Sequence, residues 1–464
     1  MSRRNLAWLL GISAVALLSV AVFFRVPTYA QNEDYEDVAL VVDVLQKVRQ
    51  SYVNDLDRKR RRKLVEDMVN GGLERLDPHS QYINPQEYKR FEAQSRGKFG
   101  GVGIQVGYDR QNRGQLTVIS PMVGTPAYNA GILAGDAIVK IDGKSTENMR
   151  LSEAVELIQG DPGQPITLTV LHEGEKETKD IRIVRDEIKV QSVLGDLRKE
   201  GKPEEWDLFL DRKTWGADKI AYIRLTTFSE TAAKEMHDAV AKVQRDGARG
   251  LVIDLRNNPG GLLKAAVEIA DLFLEEGRIV STKGRNQNEE VYDAHKEGTL
   301  MLPAKQYPIV ILVNRYSASA SEILAAALQD HGRAVVVGER SYGKGSVQNV
   351  IKMEHDTSAL KLTTASYWRP SGKNIHRFPD SKDTDDWGVS PDEGFEVKLK
   401  DEERLEYMMW RNDRDVVRNK KKPQDDKKDK APFKDRVLEK ALEHLKKEID
   451  KLGGDANLLH QRNA

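Results

Sequence analysis

The chain has 464 residues, too long for one ordinary domain, so two or three globular units are expected. Lys plus Arg equals Asp plus Glu at 73 each, which leaves no global charge to attract a nucleic acid or an acidic partner. Cysteine is absent, so disulfides, thiol catalysis and cysteine-based zinc or iron–sulfur sites are excluded, and the chain is suited to an oxidising space beyond a membrane.

The N-terminus reads as an export signal. Arg3 and Arg4 precede an uncharged, mostly apolar run of nineteen residues from Leu6 to Phe24, roughly 28 Å as a helix. That is long for a cleaved hydrophobic segment and just enough for a span. Thr28-Tyr29-Ala30 suits cleavage after Ala30, while Arg25 follows the apolar run closely. A cleaved signal and a retained anchor at 6–24 both stay open. The periplasm or cell envelope is the expected compartment, and the membrane is met only through this segment.

Val38, Val41, Leu45, Val48 and Tyr52 then repeat at spacings of three and four, one apolar face of a helix. The basic cluster Arg58 to Lys63, read as a solvated face, leads into a second helical stretch ending near Gly71-Gly72. From about Lys98 to Asp186, short β-branched runs (Gln115–Ile119, Ala137–Ile141, Ile166–Leu171, Ile181–Val184) alternate with turn signals, interrupted by one helix, Leu151 to Ile158. Between about 187 and 400, Leu251–Leu255, interrupted only by Asp254, Ile309–Val313 and Ala334–Val337 are apolar runs, as expected of strands covered on both faces. Helices Leu262–Leu274 and Ser321–Gln329 lie between them, which predicts an α/β layered core. Arg418 to Lys430 holds ten charged residues in thirteen and reads as a linker or exposed helix. Leu438, Leu442, Leu445, Ile449 and Leu452 form an amphipathic stripe expected to dock on the protein's own surface, with a homo-oligomer as the lesser option. The expected division is 1–30, export segment; 31–96, helical; 97–186, mixed β; 187–400, α/β core; 401–464, charged helical tail.

Glycines in Gly100-Gly101-Val102-Gly103-Ile104 let backbone N–H groups converge into a nest for an anion, although such a cluster alone is more often a tight turn. Gly131-Ile132-Leu133-Ala134-Gly135-Asp136-Ala137-Ile138-Val139-Lys140-Ile141-Asp142-Gly143 follows at a suitable distance. Together they resemble a PDZ domain, whose glycine-rich loop holds a peptide's C-terminal carboxylate while the peptide adds a strand to the sheet. The resemblance implies N–H groups of Val102, Gly103 and Ile104 on the carboxylate, and Val155 and Ile158 facing the groove.

In Asn314-Arg315-Tyr316-Ser317-Ala318-Ser319-Ala320-Ser321-Glu322, a buried strand turns into an Ala/Leu-rich helix. Ser319 and Glu322 fit a capping box. A serine at such a turn is also where a nucleophile is useful, beside the free N–H groups of a helix start. A serine nucleophile needs a base. Lys344 lies in Gly343-Lys344-Gly345-Ser346-Val347-Gln348, where flanking glycines permit close approach to other backbone. Burial there would have to bring its pKa from about 10.4 to roughly 7–8; an isolated loop lysine would be solvated. Gly338, Gly343 and Lys344 graze a P-loop, but Gly345 replaces the Ser/Thr that would hold magnesium and a strand follows, so no nucleotide site is expected. In Asp254-Leu255-Arg256-Asn257-Asn258-Pro259-Gly260-Gly261, the N–H of Gly260 or Gly261, with that of Ala320, is placed to bind a developing oxyanion; a plain strand–turn–helix link is the alternative.

Arg256-Asn257-Asn258-Pro259-Gly260-Gly261, Ser317-Ala318-Ser319-Ala320-Ser321-Glu322 and Gly343-Lys344-Gly345-Ser346-Val347-Gln348, in this order behind a PDZ-like region, resemble the carboxy-terminal processing (tail-specific) peptidases. The likeness spans about residues 65–395, including Leu76-Asp77-Pro78-His79-Ser80 and Leu360-Lys361-Leu362-Thr363-Thr364-Ala365. It implies an α/β layered (crotonase/ClpP-like) protease core with an inserted mixed-β PDZ domain and helical N- and C-terminal extensions. It implies Ser319 as nucleophile, Lys344 as general base, Gln348 as the residue orienting that lysine and Asp330 as an acidic support of the active centre. The implied substrates are proteins or peptides with free, apolar C-termini, with no cofactor, metal or nucleic acid. Gly195 to Trp215 reads as an insertion and Asp380 to Trp387 as an acidic loop, both departures from the family pattern. The competing functions are a non-catalytic PDZ scaffold of the cell envelope and a hydrolase using His331 or His355.

Overall fold

The computed structural model describes residues 32–109, 114–216, 219–285, 288–300, 307–417 and 433–462; the apolar run at 6–24 and the charged stretch 418–430 lie outside them. Two compact units divide at Gly72. The first carries helix Asn32–Ser51 and most of helix Arg58–Glu74. Val38, Val41 and Val44 on the former are exposed, and the latter buries none of its residues. No helix among the described residues is long and apolar enough to cross a membrane.

The second unit is built on strands whose sequences lack polar alternation. Ile220–Leu225, Gly250–Asp254, Ile309–Val313 and Val335–Gly338 lie side by side, parallel, with Val193–Leu194 antiparallel at one edge. Every residue of the first three is buried, because both faces are covered. One face presents Ile223, Ile253 and Ile311 to helices Ala232–Arg245, Leu263–Asp271 and Ala320–Asp330 through Met236, Val240, Ile269 and Leu324. The other presents Tyr222, Val252, Val310 and Leu312 to Leu438, Leu442, Leu445 and Ile449 of the C-terminal helix Arg436–Arg462. The amphipathic stripe of the tail thus closes the sheet's second face, as its spacing predicts.

A second sheet, all antiparallel, runs Gln81–Ile83, Ser358–Trp368, Arg278–Gly284, Glu290–Asp293, with Ser346–Met353 also paired to Ser358–Trp368. The third, six-stranded and antiparallel, comprises Ile104–Asp109, Gln115–Pro121, Ala137–Ile141, Pro165–Leu171 and Lys179–Val184 in that order, with Lys144–Ser145 beside the third. Its core of Val118, Ile138, Leu168 and Val170 encloses helix Leu151–Ile158 through Ala154. Gly100 lies just outside this sheet, in strand Lys98–Gly101 paired with Asp186–Lys189; a Cβ there would stand 2.2 Å from the Gly160 carbonyl oxygen.

The segment 195–215, read as an insertion, folds into a hairpin (Leu197–Lys199, Lys202–Asp207) and a short helix, Arg212–Trp215. Asp196 is buried and pairs with Arg411 at 3.1 Å and Arg414 at 2.7 Å, while Arg224 grips Asp415 at 2.7 Å. These pairs fasten the insertion and the core to helix Asp401–Asp415, the first helix of the charged tail.

Leu445 is fully buried between sheet and tail helix. Leu445→Ala is expected to cost about 3 kcal/mol through lost burial and a residual cavity. A lowered thermal midpoint and faster protease nicking of the C-terminal helix, relative to wild type, check this.

Candidate active site

Three turns follow the carboxyl ends of three adjacent parallel strands, the edge where such sheets hold their ligands. Residues 255–261 follow Gly250–Asp254, residues 314–319 follow Ile309–Val313, and residues 339–345 follow Val335–Gly338. Sheet order thereby brings together segments about ninety residues apart in sequence.

Ser319 precedes helix Ala320–Asp330 with φ 56° and ψ −114°, a left-handed conformation that a side chain rarely adopts. Its hydroxyl makes no cap hydrogen bond to the helix; the N–H of Glu322 goes instead to the Ser319 carbonyl at 2.8 Å. The returning bond of a capping box is made, with the Ser319 N–H donating to Glu322 Oε2 at 2.7 Å. The neighbouring serines are spent on backbone. Ser317 donates to the Leu255 carbonyl at 2.8 Å and Ser321 to that of Asn258 at 3.0 Å, fastening the Ser319 turn to the 255–261 turn. Tyr367 lies against Ser319: burial and then Tyr292 push its phenol up to about 12, opposed by a hydrogen bond with the Ser319 hydroxyl.

The Lys344 N–H donates to the same Glu322 Oε2 at 2.8 Å, so the backbone nitrogens of Ser319 and Lys344 are no farther apart than two hydrogen bonds to one oxygen. Oε1 accepts from the Gly343 N–H at 2.6 Å and the Ser341 hydroxyl at 2.5 Å. Burial pushes the Glu322 carboxyl up to about 7 against the pull of these four donors. The Lys344 ammonium is held below the usual lysine value, first by burial and then by the Lys361 cation, with Glu322 opposing. Its side chain makes no ion pair or hydrogen bond among the described residues.

Gly260 backs directly onto the Ser319 turn. At φ 100°, a Cβ there would stand 2.7 Å from the Ala318 carbonyl oxygen and 2.9 Å from the Ala320 nitrogen. Its own N–H is spent on Asn258 Oδ1 at 2.9 Å, so of the two glycines Gly260 is not a free donor. The bridge to Phe228 uses the Gly260 carbonyl and the Leu262 N–H and leaves the Gly261 N–H out. Ala320, first in its helix, has no intrahelical acceptor for its N–H.

Behind this turn, Arg256 is buried between two carboxylates, reaching Asp254 Oδ2 at 2.6 Å and Asp435 Oδ1 at 2.9 Å, with its guanidinium 4.3 Å from the centre of the Tyr407 ring. Sequence reasoning missed Glu322 as more than a cap, and missed Asp435, whose partner is 179 residues away.

The remaining candidates fall into place unevenly. The Gln348 amide donates to Ser346 Oγ at 2.8 Å and Thr363 Oγ1 at 3.2 Å, not to Lys344. Asp330 sits at the far end of the Ser319 helix, some eleven residues or about 16 Å away. There it receives two bonds from Arg369 and one from the Ser371 N–H, bracing the end of strand Ser358–Trp368. Its bonds go to that hairpin and not to Ser319 or Lys344. In the antiparallel β domain, the Met122 N–H donates to the Gly103 carbonyl, so Ile104, opposite Pro121, turns its own N–H and C=O to the open edge. Val155 is half-buried, but Ile158, like Val102, belongs to the domain core and does not line an open groove.

Gly260→Ala is expected to displace the Ser319 turn and lower kcat/KM at least about 100-fold, with the fold retained by circular dichroism. Near-normal turnover would show that the close approach of Gly260 to the turn is dispensable.

The family model described as "Peptidase family S41" matches residues 219–393, and a PDZ domain model matches residues 117–171. A "Carboxy-terminal-processing protease" of Bartonella bacilliformis is 39% identical over 396 residues, covering 84% of this chain and 82% of its own. "Carboxy-terminal processing protease CtpA" of Bacillus subtilis is 36% identical over 317 residues, 68% of this chain and 62% of its own. A "Carboxyl-terminal-processing protease" of Synechocystis is 34% identical over 323 residues, 70% of this chain and 69% of its own. The chain belongs to peptidase family S41, a serine-type peptidase of the carboxy-terminal-processing group that combines an α/β protease core with a PDZ domain.

Proposed function

We propose that the chain cleaves proteins near their C-termini with Ser319 as nucleophile and Lys344 as general base. One observation carries this reading: a single buried carboxylate oxygen of Glu322 accepts both the Ser319 and the Lys344 N–H, tying a strained serine turn to a lysine held below its usual pKa. Neutral Lys344 takes the Ser319 proton as Oγ attacks the scissile carbonyl carbon. The Gly261 and Ala320 N–H groups hold the oxyanion. Collapse expels the amine, which leaves with the proton from Lys344. Water then attacks the acyl-enzyme, giving its proton to Lys344, and Ser319 is restored.

The proposed division of labour gives recognition to residues 97–186 and chemistry to 187–400. The outward N–H of Ile104, beside the Val102–Gly103 turn, supports capture of a free α-carboxylate by strand addition, with apolar terminal side chains resting near Val155. A site in the periplasm or cell envelope, reached through the apolar segment at 6–24, suits this role.

Ser319→Ala and Lys344→Arg are both expected to abolish turnover with the fold intact, since Arg cannot deprotonate to act as base. Ser317→Ala and Ser321→Ala should cost stability or part of the rate. Ionised Glu322 and neutral Lys344 are both favoured as pH rises, so log kcat/KM should fall below neutrality with a slope steeper than about one. Activity in pure Lys344→Arg protein, or a flat acid limb, would overturn the assignment.

Matched peptides with free and amidated C-termini test the recognition half. On Ser319→Ala protein the free form should bind at least about tenfold tighter, because amidation removes the charge that the N–H groups meet. Equal affinities would defeat the carboxylate reading without touching the Ser–Lys pair.

A further inference from the structure

Asp77 belongs to the Leu76–Ser80 segment, which the proposed chemistry leaves without a role. Its carboxylate receives the His79 N–H at 2.8 Å, the Ser80 N–H at 2.9 Å, the Ser80 hydroxyl at 2.5 Å and the Thr363 hydroxyl at 3.0 Å. Burial alone would raise this carboxyl, but those donors more than offset it and hold it below the usual carboxylate value. An ionised carboxylate only accepts. The one proton of the Thr363 hydroxyl is therefore committed to Asp77, and Thr363 Oγ1 can only accept from its other neighbour, Gln348 Nε2 at 3.2 Å. Ser80 locks the same direction: its hydroxyl donates to Asp77 and accepts the Thr363 N–H at 3.0 Å. The second proton of the Gln348 amide goes to Ser346 Oγ at 2.8 Å. Both amide protons are thus used, and Gln348 Oε1 is the end left over.

Gln348 and Thr363 face each other across the hairpin at a bulge, and this strand begins at Ser346, two residues after Lys344. The Lys344 charge reaches this cluster, since after burial it is the leading cause holding His79, the neighbour of Asp77, below its usual pKa.

We propose that Asp77, acting through Thr363, fixes the polarity of the Gln348 amide so that its carbonyl and not its amino end is presented to Lys344, which makes Asp77 and Thr363 positioning residues of the peptidase. The inference rests on the reading of Lys344 as base and Gln348 as its partner. A neutral lysine offers its lone pair to Ser319 when its own N–H groups are held elsewhere. A carbonyl oxygen holds one of them, whereas an NH₂ turned the same way would meet donor with donor.

The test measures kcat and KM of the full chain on a fluorogenic peptide with a free apolar C-terminus. Thr363→Val should lower kcat about tenfold, the scale of one oriented hydrogen bond, with KM within about twofold. Thr363→Ser returns the hydroxyl and should restore most of that loss. Because Thr363 acts through Gln348, Thr363→Val with Gln348→Ala should be no slower than Gln348→Ala alone. If Thr363→Val fails to fold, Asp77→Asn takes its place, since an amide can donate to Thr363 and invert the chain; the same kcat loss is expected. Losses that multiply in the double variant, or Thr363→Val at wild-type speed while Gln348→Ala is slow, overturn the proposal. Wild-type kcat in Gln348→Ala also overturns it, and leaves the Ser319–Lys344 reading to stand or fall on its own variants.

Discussion

The buried carboxylate of Glu322 is the point on which the site depends. Taking a carboxyl fully out of water is costly, and here burial pushes it up to about 7. Four donors offset that cost: the N–H groups of Ser319, Gly343 and Lys344 and the Ser341 hydroxyl. Those donors belong to two turns separated in sequence, so satisfying one charge fixes both relative to each other. The same bonds sustain the left-handed backbone of Ser319, which a free turn would relax. The Glu322 N–H goes to the Ser319 carbonyl, and the Ser319 hydroxyl lies against the Tyr367 phenol.

A second buried charge, Arg256, does comparable work one turn away. It pairs with Asp254 at the end of the preceding strand and with Asp435 at the start of the tail helix. Removing Arg256 would leave two carboxylates facing each other uncompensated in the interior, the costly way to break such a cluster. The turn running from Arg256 to Gly261 is therefore stiff before any substrate arrives. Asn257 is bonded to Asn314 and Asn258 to the Leu225 carbonyl, which adds cross-strand ties on both sides. Preorganised donors of this sort do not reorient during the reaction.

The C-terminal tail has an architectural role that its charge conceals. By covering Val252, Val310 and Leu312 it turns a sheet open on one side into one buried on both. The same helix delivers Asp435 to Arg256, so covering the sheet and stiffening the turn depend on one docking event.

Much of this was legible in the residues. Apolar runs at 251–255, broken by Asp254 alone, 309–313 and 334–337 forecast buried parallel strands within a residue or two, since only strands covered on both faces dispense with polar alternation. Helix Leu151–Ile158 and the tail stripe followed from periodicity in the same way. Ser319 and Lys344 stood out because their glycine and serine surroundings are local, and local pattern survives in sequence. What the tertiary structure alone decided is which partner each polar group takes. It spends the Gly260 N–H on Asn258, sends Asp330 to Arg369, buries Ile158 in the core and turns the Gln348 amide toward Thr363. Hydrogen bonds have lengths of about 3 Å and defined directions, and nothing in the linear order of residues records which of two neighbouring donors is already in use. That is settled only when sheet order and helix docking bring distant segments within reach.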